Sequence, residues 1–154
     1  MSFVIPKEQY NGKINTVMLG KGNLQVGVGG ETALPFCVFE GDIKNKPIVA
    51  MDVYDVVPKH WPNYLIEYYK DVLDDPKKFA KKCIDEYGAD AICFHITGVN
   101  PDVNTLNAEQ AGNLVKELRE SISKPLIVYP EAPLEVVADV MKKVSEINAD
   151  TNIL

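Results

Sequence analysis

The strongest constraint on the fold of this chain is the alternation of short apolar runs with amphipathic segments between residues 47 and 154. The runs Pro47–Tyr54, Ala91–Thr97 and Leu126–Tyr129 have the length and composition of buried strands. Each run is followed by a segment with helical periodicity. Buried strands separated by helices are typical of a parallel sheet covered by helices. The pattern therefore predicts an α/β fold.

Capping residues mark where the helices of this stretch begin and end. Asp75 can cap a helix that has Pro76 at its first position, and Gly88 can adopt the left-handed conformation that ends it. Asn107 and Gln110 have the spacing of a capping box at the start of a second helix. A third helix is predicted from an apolar stripe that consists of Leu134, Val137, Met141 and Val144.

The strand–helix order corresponds to about three and a half βα units, because Asn152–Leu154 resembles the start of a fourth strand. A TIM (β/α)8 barrel contains eight such units in typically ~250 residues. We therefore predict that residues 47–154 form a partial TIM barrel, the first half of the complete one. On this interpretation the chain is a fragment of a longer subunit, or another chain completes it.

Residues 1–46 are predicted to form a separate N-terminal region, which consists of a surface arm and a β-hairpin. Two short β runs, Asn15–Leu19 and Leu24–Val28, flank a loop that contains glycine. The glycines of residues 27–30 lack the order of a phosphate-binding loop, and no helix start follows them. We expect a tight turn at these glycines.

The composition excludes several classes of protein. A net charge of −6 argues against nucleic acid or an anionic membrane as a partner. No apolar run approaches the ~20 residues of a membrane helix, and the N-terminus lacks the pattern of a signal peptide, so a cytoplasmic location is predicted. Cys37, Cys83 and Cys93 form no Cys-x-x-Cys pair, which indicates reduced, mostly buried thiols rather than a disulfide or a cluster site.

Polar side chains at the ends of several predicted strands indicate a binding site. Alternation places Cys93, His95 and Thr97 on the strand face opposite the apolar residues that contact the helices. In a barrel, strand ends converge at one face, where sites are usually built. We predict that the binding residues are His95, Thr97, Asn100, Asp102 and Tyr129.

The sequence indicates neither a catalytic residue nor a metal site. His60 and His95 lie far apart, and no carboxylate–histidine spacing suggests a metal-ligand set. No Ser-His-Asp arrangement can be argued from the residues either.

Four stretches carry a resemblance to a known family: Gly29–Phe36, Phe39–Gly41, Asp71–Pro76 and Lys82–Asp90. They resemble the small (delta) subunit of the corrinoid iron–sulfur protein, which belongs to the acetyl-CoA decarbonylase/synthase system of acetogens and methanogens. The resemblance runs from about Val17 to the end of the chain and corresponds to about the first half of a family member.

The resemblance implies a TIM barrel that helps to bind a corrinoid (cobamide, cobalamin type). In the family the corrinoid lies between this barrel and the large corrinoid iron–sulfur subunit, which also carries the iron–sulfur cluster. A methyltransferase delivers a methyl group from a methyl-pterin, and acetyl-CoA synthase receives it, as transient partners in the carbon-fixing Wood–Ljungdahl pathway of anaerobes. The chain would then be a non-catalytic subunit. Because it lacks the Asp-x-His-x-x-Gly pattern, a corrinoid here would be held by shape and polar contacts.

Two other functions remain open at this point. A pterin-dependent methyltransferase barrel would use Asp and Asn at strand ends, and Asp52, Asp55 and Asn100 are residues of these types. The chain could also be a purely structural assembly module that only docks a partner.

Overall fold

The computed structural model describes residues 3–20 and 22–149 and shows an α/β arrangement. The predicted fourth strand at Asn152–Leu154 lies outside the described residues. None of the described helices is long and apolar enough to cross a membrane. The elements are β1 (Val17–Leu19), β2 (Val26–Val28), β3 (Ala50–Tyr54), α1 (Asn63–Tyr69), α2 (Pro76–Asp85), β4 (Ala91–Ile96), α3 (Ala108–Ser121), β5 (Leu126–Pro130) and α4 (Leu134–Ile147).

The central feature is a parallel sheet in which β3, β4 and β5 lie side by side in chain order. Its register places Tyr54 beside His95 and His95 beside Tyr129, so one row crosses all three strands. The predicted alternation of strands and helices is confirmed. The described residues form a three-stranded parallel sheet with its helices, and the predicted partial TIM barrel is not confirmed.

The hydrophobic core lies between the sheet and helices α2, α3 and α4. Val53, Phe94 and Val128 point from adjacent strands into this core and are nearly inaccessible to solvent. The helices contribute their own buried residues, such as Phe79 and Val115. Burying one such side chain contributes roughly 1.5–3 kcal/mol. The helices that cover the core therefore lie on one face of the sheet, as the strand alternation predicts.

The predicted helix caps are confirmed. The Asp75 carboxylate accepts hydrogen bonds from the backbone N–H groups of Lys77 and Lys78, at 3.0 and 3.3 Å. Asn107 and Gln110 form a reciprocal capping box with two bonds of 2.9 Å. Both caps satisfy N–H groups that a helix start otherwise leaves without partners.

The apolar stripe predicted for α4 is partly wrong. Leu134 is 82% exposed, whereas Val140 and Val144 are the buried residues of the helix. The close approach of α4 to α3 explains this orientation. A Cβ added to Gly112 of α3 would lie 2.6 Å from Cδ1 of Ile147, so the α3-facing side of α4 is set by its later turns.

The N-terminal region contains the predicted hairpin. Strands β1 and β2 pair antiparallel, and Val17 lies opposite Val28. Gly29 and Gly30 have φ values of 75° and 90°, a region that favours glycine, and no helix follows them. The glycines thus adopt a conformation that favours glycine, but no turn is assigned at residues 29–31, so the predicted tight turn is not confirmed.

The connection from residue 55 to residue 74 contains helix α1. The Trp61 ring packs against Tyr54, Tyr69 and Phe79, with ring centroids 5.5, 5.9 and 6.3 Å apart. Helix α1 has only seven residues, and no side chain caps its start at Pro62. Aromatic packing rather than capping therefore holds this segment against the core.

Candidate functional site

The candidate site lies at the carboxyl edge of the sheet, on the face that points away from α2, α3 and α4. His95 of β4 is at its centre, with 18% of its side chain exposed. Its ring stacks on Tyr54 at 4.7 Å and packs against Tyr129 at 4.8 Å. The sheet register produces this arrangement, because the three residues occupy one row. His95 and Tyr129, both predicted as binding residues, are therefore brought together.

Two carboxylates flank the His95 ring. Its Nε2 lies 3.3 Å from Oδ1 of Asp52, and its Nδ1 lies 4.0 Å from Oε2 of Glu131. Burial is the main reason that the pKa of the neighbouring Tyr54 hydroxyl is raised, and the charges of Asp52 and Glu131 add to it. Tyr54 consequently remains a neutral hydrogen-bonding group over a wide pH range.

Cys93 of β4 pairs with Asp52 of β3. It precedes His95 by two residues and lies on the same face of the strand. Burial, the negative charge of Asp52 and a hydrogen bond to its carboxylate together raise the pKa of the Cys93 thiol to about 11. One ligand atom from each of Asp52, Cys93 and His95 lies within 4.8 Å of the others, a grouping that could hold a metal ion. No pattern in the sequence indicates this set, because the residues come together only through the pairing of β3 with β4.

The carboxylate of Asp55 accepts hydrogen bonds from the segment that follows β4. Its Oδ1 accepts hydrogen bonds from the backbone N–H and the hydroxyl of Thr97, at 2.8 and 2.9 Å. Its Oδ2 accepts a bond from the backbone N–H of Gly98 at 2.8 Å. The side chain of Thr97, a predicted binding residue, is thus held by Asp55 at the edge of the site.

Asn100 organises the next part of the same loop. Its Nδ2 donates to the backbone oxygen of Glu131 at 3.1 Å, and its Oδ1 accepts from the backbone N–H of Asp102 at 3.0 Å. Asn104 takes the left-handed conformation, with φ at 48°. The amide of Asn100 therefore joins the loop after β4 to the end of β5.

A cleft of about 450 Å³ lies between the loops that follow β3 and β4. Its walls include the predicted residues Thr97, Asn100 and Asp102, together with Glu131. The structure thus places three predicted residues in the cleft, while His95 and Tyr129 lie on the adjoining sheet face. The apolar part of the wall, which the sequence analysis did not predict, consists of Val56, Val57, Pro58 and Val103.

The cysteines are all free. Cys83 is fully buried, whereas Cys37 and Cys93 are half-buried, so the prediction of mostly buried thiols holds for Cys83 alone. Burial raises the pKa of Cys83 to about 11.

A parallel sheet with helices on one face defines an α/β protein, a class in which binding sites commonly lie at the carboxyl ends of the strands. Residues 16–154 match the family model described as the CO dehydrogenase/acetyl-CoA synthase delta subunit. The chain belongs to this family, which confirms the resemblance found in its sequence.

Curated relatives carry the name acetyl-CoA decarbonylase/synthase complex subunit delta. The Archaeoglobus fulgidus protein is 30% identical over 155 residues, which cover 96% of this chain and 34% of the relative. The Methanocaldococcus jannaschii protein is 31% identical, with 80% of this chain and 31% of the relative covered. The Methanothermobacter thermautotrophicus protein is 31% identical, with 92% of this chain and 36% of the relative covered. The chain thus spans about a third of these relatives, less than the half that the sequence analysis predicted.

Proposed function

We propose that this chain, as part of an acetyl-CoA decarbonylase/synthase delta subunit, forms one side of a corrinoid-binding cleft. The large corrinoid iron–sulfur subunit would supply the other side and the iron–sulfur cluster. The observation that carries the proposal is the sheet face on which His95 packs against Tyr129, whose side chain is largely exposed. Membership of the family is the reason to propose a corrinoid as the ligand. The exposed surface, which is partly polar and partly aromatic, would contact it.

The residues of this surface fit one side of a corrinoid. A corrin ring has broad apolar faces and a rim of amide side chains, so it requires a flat aromatic contact and polar groups at its edge. Tyr129 is 52% exposed and offers the flat contact. Asn100 and Asp102 stand at the rim of the adjoining cleft.

The size of the cleft supports the involvement of a partner subunit. Pockets of ≈ 300–1,000 Å³ enclose drug-sized ligands, and a corrinoid is larger than such a ligand. The cleft of about 450 Å³ can therefore contact only a part of it. A second subunit would then cover the remaining surface of the corrinoid.

When bound, the corrinoid would supply a cobalt centre that carries a methyl group from a methyl-pterin towards acetyl-CoA synthase. The task of this chain is to bind and orient. Tyr129 and the apolar wall around Val103 would support the ring, while Thr97 and Asn100 would contact its rim. A methyltransferase and acetyl-CoA synthase would then be transient partners. The described strands would be the first of a (β/α)8 barrel in a cytoplasmic complex, and the chain would supply no nucleophile.

The test is anaerobic co-purification of this chain with the large subunit, with the visible corrinoid spectrum read across the size-exclusion peak. We expect a shared peak that contains corrinoid, and we expect Tyr129→Ala to reduce the corrinoid per complex severalfold. Tyr64→Ala is the matched control, because Tyr64 is 69% exposed on α1 and makes no ring contact with any residue that the structure describes. A corrinoid content that both variants leave unchanged would contradict the proposal.

The two alternatives make different predictions in the same system. Binding of a methyl-pterin by the isolated chain would favour a pterin-dependent methyltransferase, although Asp55 and Asn100 already bond to backbone groups of the chain. A shared peak without any corrinoid would favour a purely structural assembly module.

A further inference from the structure

We propose that Asp52, Cys93 and His95 form a binding site for a divalent transition-metal ion of the zinc class. The three residues lie on adjacent strands: the register pairs Asp52 with Cys93, and His95 follows Cys93 by two residues on the same face. Each offers one ligand atom, and the three atoms lie within 4.8 Å of one another. This assignment goes beyond the proposed corrinoid contact, because it requires only these side chains and the ion.

The distance between Asp52 and His95 matches a shared metal. Zinc binds His nitrogen and carboxylate oxygen at about 2.0–2.2 Å, and a tetrahedron with such bonds has an N···O edge of about 3.3–3.5 Å. Oδ1 of Asp52 and Nε2 of His95 lie 3.3 Å apart. The Cys93 sulfur lies within 4.8 Å of a ligand atom of each of the other two residues, so it would move inward on binding.

Aromatic neighbours hold the orientation of the histidine ring, and a second carboxylate lies near its other nitrogen. Metal-bound histidines usually donate their other ring N–H to a carboxylate, a backbone carbonyl or water, which fixes the tautomer. Oε2 of Glu131 lies 4.0 Å from Nδ1 of His95, on the side of the ring opposite Asp52. Tyr54 and Tyr129 pack on the ring and restrict its rotation. The Nε2 atom is thereby held towards Asp52 and Cys93.

The ligand types select the class of metal and leave one position open. A thiolate, an imidazole and a carboxylate suit zinc and similar ions, whereas magnesium and calcium prefer oxygen ligands alone. The side chain of Asp52 is 53% exposed, so solvent or an added ligand can reach a fourth position. On binding, a metal–sulfur bond replaces the S–H bond of Cys93, and the proton passes to solvent.

The experiment is a titration of the reduced, corrinoid-free chain with Co²⁺, followed by displacement with Zn²⁺. We expect one Co²⁺ per chain and a thiolate-to-metal charge-transfer band in the near ultraviolet. Cys93→Ser and His95→Gln should remove the band. Cys37→Ser and His60→Gln are matched controls outside the site and should keep it.

A milder variant keeps the test valid if a ligand substitution disturbs folding. Glu131→Gln leaves all three ligands in place and removes a negative charge that lies 4.0 Å from Nδ1 of His95, so Zn²⁺ binding should weaken severalfold. Circular dichroism of each variant separates lost binding from lost structure. The absence of a thiolate band in the unsubstituted chain, or a band that folded Cys93→Ser retains, would overturn the proposal. In that case the three side chains form only a hydrogen-bonded cluster.

Discussion

The carboxylate of Asp55 accepts a hydrogen bond of 2.8 Å from the backbone N–H of Gly98 and so ties the end of β3 to the loop after β4. The other carboxylate oxygen accepts two bonds from Thr97. Asp55 itself donates its backbone N–H to the carbonyl of His95 at 3.2 Å. The strand ends that carry the candidate site are thus joined by one acidic side chain.

Replacing Asp55 should therefore destabilise the fold. Asp55→Ala leaves the N–H groups of Thr97 and Gly98 without their acceptor, and hydrogen bonds to a charged group contribute about 1.5–3 kcal/mol each to stability. We expect the free energy of unfolding, measured with urea, to fall by about 2–4 kcal/mol. Asp102→Asn is the control, because the side chain of Asp102 is exposed; its effect should stay within about 0.5 kcal/mol. Equal effects of the two changes would refute this role of Asp55.

Gly98→Ala should disturb the same link by a steric route. A Cβ at this position would lie 2.6 Å from Oδ2 of Asp55 and 2.5 Å from Oγ1 of Thr105. Overpacking of this kind costs about 1–3 kcal/mol. In an Asp55→Ala background one of the two clashes is absent, so the cost should be smaller. A double-mutant cycle by urea denaturation measures this coupling, and strict additivity would show that the clash with Asp55 is relieved in another way.

Asp75→Ala should remove the cap of α2 and lower the free energy of unfolding by about 1 kcal/mol. Burial acts to raise the pKa of Asp75, but bonds from the N–H groups of Lys78 and Lys77 lower it on balance. The pKa of an aspartate in the unfolded chain is about 3.9. The charged cap therefore contributes fully to the free energy of unfolding above about pH 4. This contribution disappears as the pH falls through the lower pKa that Asp75 has in the folded chain.

Asp75→Asn keeps the acceptor oxygen but does not titrate, so it should retain most of the stability at pH 7 while losing this acid dependence. Urea denaturation at pH 7 and below pH 4 measures both effects, with Asp74→Asn as the adjacent exposed control. An unchanged acid dependence in Asp75→Asn would argue against the cap as its source.

Substitutions at Gly112 should separate two kinds of close contact between α3 and α4. An added Cβ meets Cδ1 of Ile147 at 2.6 Å, the end of a side chain that can rotate, and the carbonyl oxygen of Lys143 at 3.4 Å. Gly112→Ala should be close to neutral, because a gain of up to about 1 kcal/mol in helix propensity offsets the repacking. Gly112→Val adds atoms towards the fixed backbone and should cost about 1–3 kcal/mol. Thermal denaturation tests this order, and a Val variant as stable as Ala would contradict it.

Stability should decrease in alkaline solution because of Cys83. The folded pKa of this buried thiol is about 11, whereas the unfolded value is about 8.5. The unfolded chain alone loses this proton between about pH 8.5 and pH 11, so the free energy of unfolding falls as the pH rises through this range. Cys83→Ala should show a smaller fall in urea denaturation series. The same slope in both proteins would assign the effect to other groups.

Local chemistry explains which parts of the fold could be predicted from the sequence. The caps at Asp75 and Asn107 depend on residues two or three positions away, so their spacing was informative. Helix α1 was missed because it lacks a side-chain cap and is held by contacts of Trp61 with residues distant in the chain. The orientation of α4 depends on its approach to Gly112, which no local pattern records.

The same distinction applies to the candidate site. Strand alternation predicted that Cys93 and His95 share a face, because the period of two is a property of one strand. The position of Asp52 beside Cys93 depends on the register between two strands, and a shift of one residue would have placed Val53 there instead. The predicted list therefore contained His95 but not Asp52 and Cys93 as its neighbours.

The alternation along β4 also has a practical consequence for protein engineering. Ile92, Phe94 and Ile96 face the helices and are fully buried, whereas Cys93 and His95 face the opposite side. Ligand chemistry and core stability are therefore encoded by alternate codons of the same short stretch. A combinatorial library confined to positions 93 and 95 could introduce new reactive groups and leave the hydrophobic core intact.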